Sequence, residues 1–324
     1  MKFVAIVQAR MGSIRLPDKV MKPIRGIPMI EILLKRLSKS KLIDQIVLAT
    51  STDKKNEPLV NKVEHLGFTC IQGSELDVLD RYIKTAEQCK ADVIVRITGD
   101  CPLVDPVLVD ECICRFKKTK VDYYSNIGPP TFPDGLDIEV IKYSALKKAA
   151  QETTKIYHRE HVTPYLKESG IFSKSNYSYN EDLSALRWTV DDPEDFDVIS
   201  KIFEHFKPNI YFDWKEVLEL YNNQPQVFAA NSKAQRNQGE EMKTGQKLWK
   251  RAKRAIPGGC MLLSKRPEMF LPNQWPTYFS RAKGCKVWDL DGNEYIDMSV
   301  MGIGTNILGY GNPEVDEAVI KTVQ

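Results

Sequence analysis

Short apolar runs alternate with segments of helical periodicity through roughly the first 200 residues, and no other feature constrains the fold as strongly. The apolar runs predict strands at Phe3–Val7, Gln45–Thr50, Thr69–Gln72 and Val93–Thr98. The periodic segments predict helices at Met29–Leu37, Glu57–Leu66, Val78–Cys89 and Pro106–Lys117. Such alternation is typical of βαβ units, so the sequence predicts an α/β fold built on a doubly wound, mainly parallel sheet.

Ligands of such sheets bind at the carboxyl ends of the strands, so the residues that follow the strands are the first candidates for a site. Two segments lie there, the loop 8–19 after the first strand and Gly99-Asp100 after the fourth. Farther along, Leu186–Val190 is another strand-like run and is followed by Asp191. A helix opened by Pro193 comes next, with acidic residues in its first turn.

The loop after the first strand, QARMGSIRLPDK, is basic. It places Arg10, Arg15 and Lys19 around Gly12 and Ser13. Backbone N–H groups of such a turn and the positive end of a following helix bind phosphate, and three cations suit a triphosphate. The loop is neither a GxxxxGK[ST] loop nor a GxGxxG turn. From composition alone, a phosphate site and an ordinary solvated loop are equally good interpretations.

Asp100 and Asp191 each end an apolar run, where a solvent-facing carboxylate is ordinary. Two carboxylates at strand ends, opposite a basic loop, also suit one Mg²⁺ ion bridged to the phosphates of a nucleotide. On spacing alone the ordinary interpretation is favoured. Asp192 either shares this role or caps the helix that follows.

Three further groups of polar residues have two interpretations each. His158 and His161 lie three residues apart on a predicted helix, but without a third ligand a polar helix face is favoured over zinc. Asp134 and Asp137 in FPDGLDIEV suit sugar hydroxyls or a simple Asp-Gly turn. The segment DLDGNE resembles a calcium loop, but its glycine is misplaced and the closing glutamate is missing.

Charge and cysteine usage narrow the class of protein. A net charge of +3 over 324 residues gives no reason to expect nucleic acid or a membrane surface as a partner. The seven cysteines are scattered, odd in number and contain no CxxC, which favours reduced thiols in the cytosol. The first residues lack the features of a signal peptide, and no apolar run reaches the roughly 20 residues of a membrane span. We therefore expect a soluble, cytoplasmic protein.

The chain changes character after residue 222. Residues 223–244 are rich in Asn and Gln without apolar periodicity, which predicts a linker between a domain at 1–222 and a segment at 245–324. In that segment KVWDLDGNEYIDM predicts a hairpin, and an amphipathic helix begins at Asn312-Pro313 and is cut at Gln324. A hairpin and a cut helix make a poor independent domain, so we expect this segment to be incomplete.

Taken in order, the motifs of the first 220 residues or so resemble one family. QARMGSIRLPDKVMKPIRGIPMIE, GSELDVLDRY, VRITGDCPLVDP, FPDGLDIEV, YHREHVTPYL and RWTVDDPEDF are similar to cytidylyltransferases of the spore-coat polysaccharide type, relatives of the KDO and acylneuraminate enzymes. The resemblance implies a Rossmann-like fold of the nucleotide-diphospho-sugar transferase type. It also implies a reaction in which the anomeric hydroxyl of an acidic sugar attacks the α-phosphate of CTP, giving a CMP-sugar and pyrophosphate.

The same resemblance implies roles for individual residues. The triphosphate would be bound by Arg10, Gly12, Ser13, Arg15 and Lys19, with Arg10, Lys19 and Asp100 as the catalytic set. Asp100 and Asp191 would hold Mg²⁺, and the sugar site would be bordered by Arg96, Asp134, Asp137 and His161. These relatives are often dimers, so the resemblance leaves a homodimer as one open assembly.

Two loop residues depart from the family pattern. The family commonly has glycine where this chain has Asp18, and serine or threonine where it has Ile14. A carboxylate beside Lys19 weakens the local positive potential, and a residue other than glycine restricts the turn. These changes bear on triphosphate affinity rather than on the fold.

The segment after about Gly245 resembles a different family. KLWKRAKRAIPGG, YFSRAKGCKVWDLDGNEYIDMS and LGYGNPEVDEAV are similar to the N-terminal part of class III, PLP-dependent aminotransferases of the glutamate-1-semialdehyde aminomutase type. This implies a fusion of a cytidylyltransferase with an aminotransferase. The PLP-binding lysine and most of that fold are missing, so neither PLP binding nor aminotransferase activity is expected here.

Two other functions remain open from the residues. A glycosyltransferase that uses a nucleotide sugar also holds a metal on carboxylates, although a basic loop after the first strand favours a free triphosphate. A non-catalytic module that binds nucleotide or sugar is the other alternative, with Asp18 then marking a decayed site. Pyrophosphate release separates the three.

Overall fold

The structure is a computed structural model that describes residues 1–13, 15–232, 234, 236, 244–260, 262–271, 274–298 and 307–323. It divides into two compact units. The first comprises Met1–Thr154 and His158–Arg236, and the second comprises Lys155–Tyr157 and Asn237–Gln324. Within the described ranges, no helix is both long and apolar enough to cross a bilayer.

The first unit is built on a seven-stranded sheet with the order β5-β4-β1-β6-β8-β7-β9. Strands β5, β4, β1 and β6 run parallel, β8 runs antiparallel to both of its neighbours, and β9 is parallel to β7. A separate two-stranded hairpin is formed by β2 and β3. The strands are β1 (Phe3–Gln8), β2 (Pro23–Ile24), β3 (Ile27–Pro28), β4 (Gln45–Ser51), β5 (Thr69–Gly73), β6 (Val93–Thr98), β7 (Tyr123–Ser125), β8 (Glu139–Lys142) and β9 (Lys174–Asn176).

The helices of residues 1–223 connect these strands and follow them. They are α1 (Met29–Leu37), α2 (Glu57–His65), α3 (Val78–Gln88), α4 (Pro106–Thr119), α5 (Tyr143–Glu152), α6 (Ile156–His161), α7 (Pro164–Glu168), α8 (Pro193–His205) and α9 (Trp214–Asn223). The four predicted strands and the four predicted helices that lie between them and after the last are confirmed, with ends that shift by at most two residues. Asp105 caps α4 as expected, because its carboxylate accepts from the backbone N–H groups of Val107 and Leu108.

Apolar side chains of the sheet point alternately to two cores. Ala5 and Val7 of β1 belong to one core, with α1, α4 and α8, whereas Val4 and Ile6 belong to the other, with α3 and α5. Because helices cover both faces of the sheet, its inner parallel strands β1, β4 and β6 are mostly buried, which explains why they are continuous apolar runs in the sequence. The carboxyl ends of β1 and β6, paired residue by residue up to Gln8 and Thr98, are therefore fixed side by side.

The prediction of a strand at Leu186–Val190 is wrong. This segment forms a single parallel bridge, between Arg187 and Asp134, rather than a ladder. Its backbone bonds are divided between two partners, because Trp188 N donates to Asp134 O (2.6 Å) while Val190 N donates to Asp100 O (2.8 Å). The segment thus joins the FPDG loop to the end of β6.

The first part of the predicted linker is ordered within the first unit. A 3-10 helix at Pro225–Asn231 buries Phe228 in the core beside α8 and α9. Asn231 is also buried, and its Nδ2 donates to Arg187 O (3.0 Å) and to Asp195 Oδ1 (2.9 Å). Because this stretch is polar in composition, the burial of Phe228 and Asn231 could not be predicted from the sequence. The later linker residues 237–243 lie outside the described part of the chain.

The second unit contains α10 (Thr244–Ala255), a three-stranded antiparallel sheet and α11 (Pro313–Val323). The strands are β10 (Phe279–Lys283), β11 (Lys286–Asp289) and β12 (Glu294–Ile296), so the predicted hairpin is confirmed. In the segment that resembles a calcium loop, the carboxylate of Asp289 accepts from the N–H groups of Asp291 and Asn293 and from the Tyr295 hydroxyl.

Candidate active site

The site lies where β1 and β6 end. Gly99 N, just after β6, donates to Gln8 O at 2.7 Å. A Cβ atom on Gly99 would lie 2.7 Å from the Ala9 side chain and 2.9 Å from Gln8 O, so the close approach of the two strand ends requires glycine. This contact sets the distance between the basic loop and Asp100.

We predict that Gly99→Ala separates the strand ends and costs about 1–3 kcal/mol in the free energy of unfolding, as overpacking does. Gly12→Ala is the matched control, because no atom lies within 4 Å of the Cβ that it would add. Urea unfolding of the full chain measures both. Equal stability of the two variants would show that the Gly99 contact is dispensable.

Lys19 is the centre of the site. Its ammonium donates to Asp100 Oδ2 (3.1 Å), Asp191 Oδ1 (2.9 Å) and the backbone oxygen of Val190 (2.7 Å). The structure therefore brings together one cation and both carboxylates that the sequence analysis proposed as metal ligands. Burial lowers the pKa of Lys19, but the carboxylates of Asp100 and Asp191 outweigh it and leave that pKa above its ordinary value.

Arg15 approaches the same carboxylate from the loop. Its two terminal nitrogens lie 2.9 Å from Asp191 Oδ2 and 3.0 Å from Asp192 Oδ2. Burial raises the pKa of Asp191, but Lys19 and Arg15 outweigh it and hold that pKa near 2. Asp191 is thus ionised and held by cations on two sides. Asp192 both pairs with Arg15 and caps α8, where Asp195 completes a capping box.

Arg187, which the sequence analysis did not select, bonds to three carboxylates from the buried side of the site. The Arg187 guanidinium bonds to Asp195 (2.9 and 3.0 Å), Asp134 (3.0 Å) and Asp191 (3.1 Å), and only 4% of the side chain is exposed. Asp195 in turn accepts from the N–H groups of Asp191 and Asp192. The four-residue spacing of Arg187 and Asp191 would indicate an ion pair only on a helix, and this segment is not helical, so the sequence carried no signal for the pair.

Asp134 is tied to the site through Arg187, and Asp137 lies close to it. Burial and Asp137 raise the pKa of Asp134 to about 7, although Arg236 and Arg187 pull it down. Asp137 pairs with Arg236, whose guanidinium also donates to Phe132 O at 3.1 Å. Gly135, with φ +107, lets this loop lie against the backbone of Trp188 and Thr189.

A pH dependence follows from Asp134. Its folded pKa of about 7 exceeds the ordinary 3.8, so the protonated carboxyl favours folding at low pH and that contribution disappears as pH rises through about 7. We predict that the free energy of unfolding falls less between about pH 5 and about pH 8 in Asp134→Asn than in the wild-type protein. Urea midpoints measure it, with the exposed Asp197→Asn as control. An unchanged pH profile in Asp134→Asn would contradict the assignment.

Three residues predicted to belong to the site make their contacts with groups outside the Lys19 cluster. Arg10 is half-exposed and is 3.5 Å from Glu75. Arg96 pairs with the buried Glu139, whose other oxygen accepts from the Tyr123 hydroxyl at 2.6 Å. His161 ends α6, where its backbone oxygen accepts from Thr163 N at 2.8 Å.

His158, the other histidine of the motif, is committed to protein groups. Its ring nitrogens lie 2.7 Å from Thr153 Oγ1 and 3.3 Å from Glu168 Oε2. Among the described residues, no three His, Cys, Asp or Glu side chains are arranged to hold a metal ion.

The glycine-bearing turn is held from β4. Met11 N donates to Asn56 Oδ1 (2.8 Å), and Asn56 is itself anchored to Ser51 Oγ (2.8 Å). Gly12 has open space around it, and Ser13 N donates to Met11 O at 2.8 Å. Asp18 adopts the left-handed conformation, φ 56, which glycine reaches without the steric cost that a side chain brings. Ile14 lies outside the described residues.

The carboxylates fit a magnesium ion. Asp100 and Asp191 converge on one point, the Lys19 nitrogen, and supply the hard oxygen ligands that Mg²⁺ prefers. In nucleotide sites Mg²⁺ is commonly held by only one or two carboxylates, with phosphate and water oxygens completing its shell. A two-carboxylate set is therefore sufficient for an ion that arrives with a triphosphate.

The match to a family model, rather than the sheet, the basic loop and the paired aspartates by themselves, shows that the chain is a nucleotidyltransferase enzyme. Within that class the chain belongs to the cytidylyltransferase family, whose sequence model matches residues 4–234. That match spans the first unit described above almost completely.

Individual relatives agree with this assignment. The spore coat polysaccharide biosynthesis protein SpsF of Bacillus subtilis is 32% identical over 68% of this chain and 94% of its own. A solved cytidylyltransferase of Leptospira borgpetersenii is 30% identical with a TM-score of 0.68, covering 70% of this chain and 97% of its own. A 3-deoxy-manno-octulosonate cytidylyltransferase of Geobacter metallireducens is 34% identical over 35% of this chain and 44% of its own.

A separate relative is similar to a much shorter stretch. The 3-aminobutyryl-CoA aminotransferase of Cloacimonas acidaminovorans is 42% identical over 77 residues, which are 24% of this chain and 18% of that protein. This likeness is partial, since it leaves most of the relative's length without a counterpart.

Proposed function

We propose that the enzyme transfers CMP from CTP to a hydroxyl of an acidic sugar of the nonulosonic or KDO-like type, for surface polysaccharide. The observation that carries this proposal is the convergence of Asp100 and Asp191 on one point beside the basic loop. The family supports the cytidylyl group, and the partial likeness to a 3-deoxy-manno-octulosonate enzyme supports the acidic acceptor. The likeness to SpsF supports a polysaccharide precursor.

The loop cations are graded in exposure in a way that suits a triphosphate. Arg10 and Arg15 have 45% and 34% of their side chains exposed, whereas Lys19 has 11%. Arg10 and Arg15 are therefore within reach of an incoming anion, and Arg15 would exchange part of its pairing with Asp192 for a phosphate. Lys19 lies deeper in the site, beside the carboxylates of Asp100 and Asp191. There it would contact the phosphate group of the nucleotide that lies nearest to those carboxylates.

In the proposed reaction the acceptor oxygen forms a bond to the α-phosphorus, the bond from that phosphorus to the bridging oxygen of pyrophosphate breaks, and the acceptor proton is released. Asp100 and Asp191 would hold Mg²⁺, which supplies neutralisation of the charge on the phosphates. Arg15 and Lys19 add positive charge at the same place. Arg187 and Asp195 keep Asp191 oriented while the phosphates and the metal ion bind. Arg187 donates to the Asp191 carboxylate and Asp195 accepts from the Asp191 N–H, both from the buried side of the site.

The acceptor would lie toward the Asp134 and Asp137 loop. Both carboxyls belong to a segment that is joined by backbone bonds to the residues preceding Asp191. Burial and Asp137 raise the pKa of Asp134 to about 7, so this carboxyl is partly protonated near neutral pH, and the protonated form can donate as well as accept a hydrogen bond with a sugar hydroxyl.

The test is a screen of the four nucleoside triphosphates against candidate sugar acids, measured by pyrophosphate release with the full chain and Mg²⁺. We expect release with CTP only when an acidic sugar is present. Binding of nucleotide without release would favour the non-catalytic module. Hydrolysis of, or transfer from, added CMP-sugar in the absence of CTP turnover would favour a glycosyltransferase.

We also propose that the second unit corresponds to the opening segment of a class III aminotransferase, after a linker. Support comes from the 42% identity over 77 residues and from the β11–β12 hairpin where the motif predicts one. The face of α11 that carries Val315 and Val319 is exposed, as expected of a piece of a larger fold. Because the likeness covers 18% of that relative, we derive no PLP chemistry for this chain.

A further inference from the structure

The hydrogen-bonding capacity of Lys19 is used completely. An ammonium group has three N–H donors, and Lys19 has three acceptors, on Asp100, Asp191 and Val190, at 2.7–3.1 Å. Asp100 and Asp191 are more exposed than Lys19, with 28% and 23% of their side chains accessible. The cation thus lies underneath the two carboxylates, with its charge directed at both.

While Lys19 keeps these three bonds, the site cannot perform its two expected roles, which are to bind a divalent ion on Asp100 and Asp191 and to bind phosphate through Lys19. A divalent ion bound by Asp100 and Asp191 would lie close to the Lys19 ammonium, which bonds to one oxygen of each carboxylate, and two cations so close together repel each other strongly in a partly buried site. Nor can Lys19 donate to a phosphate while it keeps all three bonds. Either event requires the ammonium to leave at least one carboxylate.

We propose that Lys19 is an internal cation that holds Asp100 and Asp191 until the triphosphate arrives, so that the protein takes up its divalent ion together with the nucleotide. This rests on the proposed function and adds the order in which its ligands bind. A metal ion alone would displace Lys19 without offering a new acceptor. A metal–nucleotide complex brings phosphate oxygens that accept from the displaced ammonium, and Arg187 and Arg15 keep Asp191 in place meanwhile.

The test measures bound Mn²⁺ by water proton relaxation enhancement on the full chain, with no acceptor present. We expect the wild-type protein to bind Mn²⁺ alone weakly and to show strong enhancement with Mn²⁺ and CTP together. We expect Lys19→Met to bind Mn²⁺ alone at least about tenfold more tightly than wild type, because both carboxylates lose their internal cation. Lys22→Met removes a nearby cation that stands over the Phe196 ring, and should match wild type.

Two results would overturn the proposal. One is a wild-type protein that binds Mn²⁺ as tightly without CTP as with it, a comparison that needs no variant. The other is a folded Lys19→Met protein whose affinity for Mn²⁺ alone equals that of wild type; if Lys19→Met does not fold, Lys19→Gln takes its place. The comparison of variants with Mn²⁺ alone does not depend on the nucleotide or the sugar, so it stands or falls separately from the proposed function.

Discussion

Asp100→Asn loses pyrophosphate release, by on the order of a thousandfold, because it removes a charge that no neighbouring group replaces. The amide keeps the shape of the side chain but has one weak acceptor oxygen in place of a carboxylate. It therefore weakens both the pairing with Lys19 and the proposed magnesium site. The measurement is the turnover number for pyrophosphate release from CTP, with thermal unfolding to show that the variant is folded.

Asp197→Asn serves as the matched control for activity. Asp197 is an exposed aspartate of α8 that pairs with Lys201 one helical turn away, so its replacement should leave turnover unchanged. If Asp100→Asn keeps more than about a tenth of wild-type turnover, the loss is too small for a metal ligand and the assignment of Asp100 is wrong.

Arg187→Met destabilises the first unit by about 3–5 kcal/mol, the usual cost of removing one partner from a buried ion pair. Methionine fills much of the space but leaves the carboxylates of Asp134, Asp191 and Asp195 without their shared cation. Those carboxylates would repel each other in a place with little access to water. Urea unfolding at neutral pH measures the loss.

Arg25→Met provides the comparison for the arginine prediction. Arg25 is about one-third exposed and lies 3.5 Å from Glu204, an ion pair of the kind worth at most about 1 kcal/mol. We expect Arg187→Met to lose clearly more unfolding free energy than Arg25→Met. Similar losses would show that Arg187 does not organise the carboxylates.

The sheet could be predicted because its signal is local. The inner strands of the parallel region are largely buried on both faces, so β1, β4 and β6 appear in the sequence as apolar runs of the correct length. The extended segment before Asp191 looked the same, yet it is not a strand. Its backbone bonds are shared between Asp134 and Asp100, and no local pattern distinguishes shared partners from a ladder.

The site could be predicted only in part, because charge is visible in a sequence and pairing is not. Lys19 meets Asp100 and Asp191 as the strand-end argument requires. Arg96, in contrast, pairs with Glu139, which lies 43 residues away in the chain. Arg187 was missed because its partners, Asp134 and Asp195, come together only once the loop and the start of α8 have folded.

Isotopic labelling shows directly whether a cytidylyl group moves from CTP to a sugar acid. CTP labelled with ³²P at the α-phosphorus and CTP labelled at the γ-phosphorus are incubated separately with the full chain, Mg²⁺ and the acceptor. We expect the α-label to appear in a CMP-sugar and the γ-label in pyrophosphate. Label from the γ-position on the acceptor, or no labelled sugar with any acceptor acid, would contradict it.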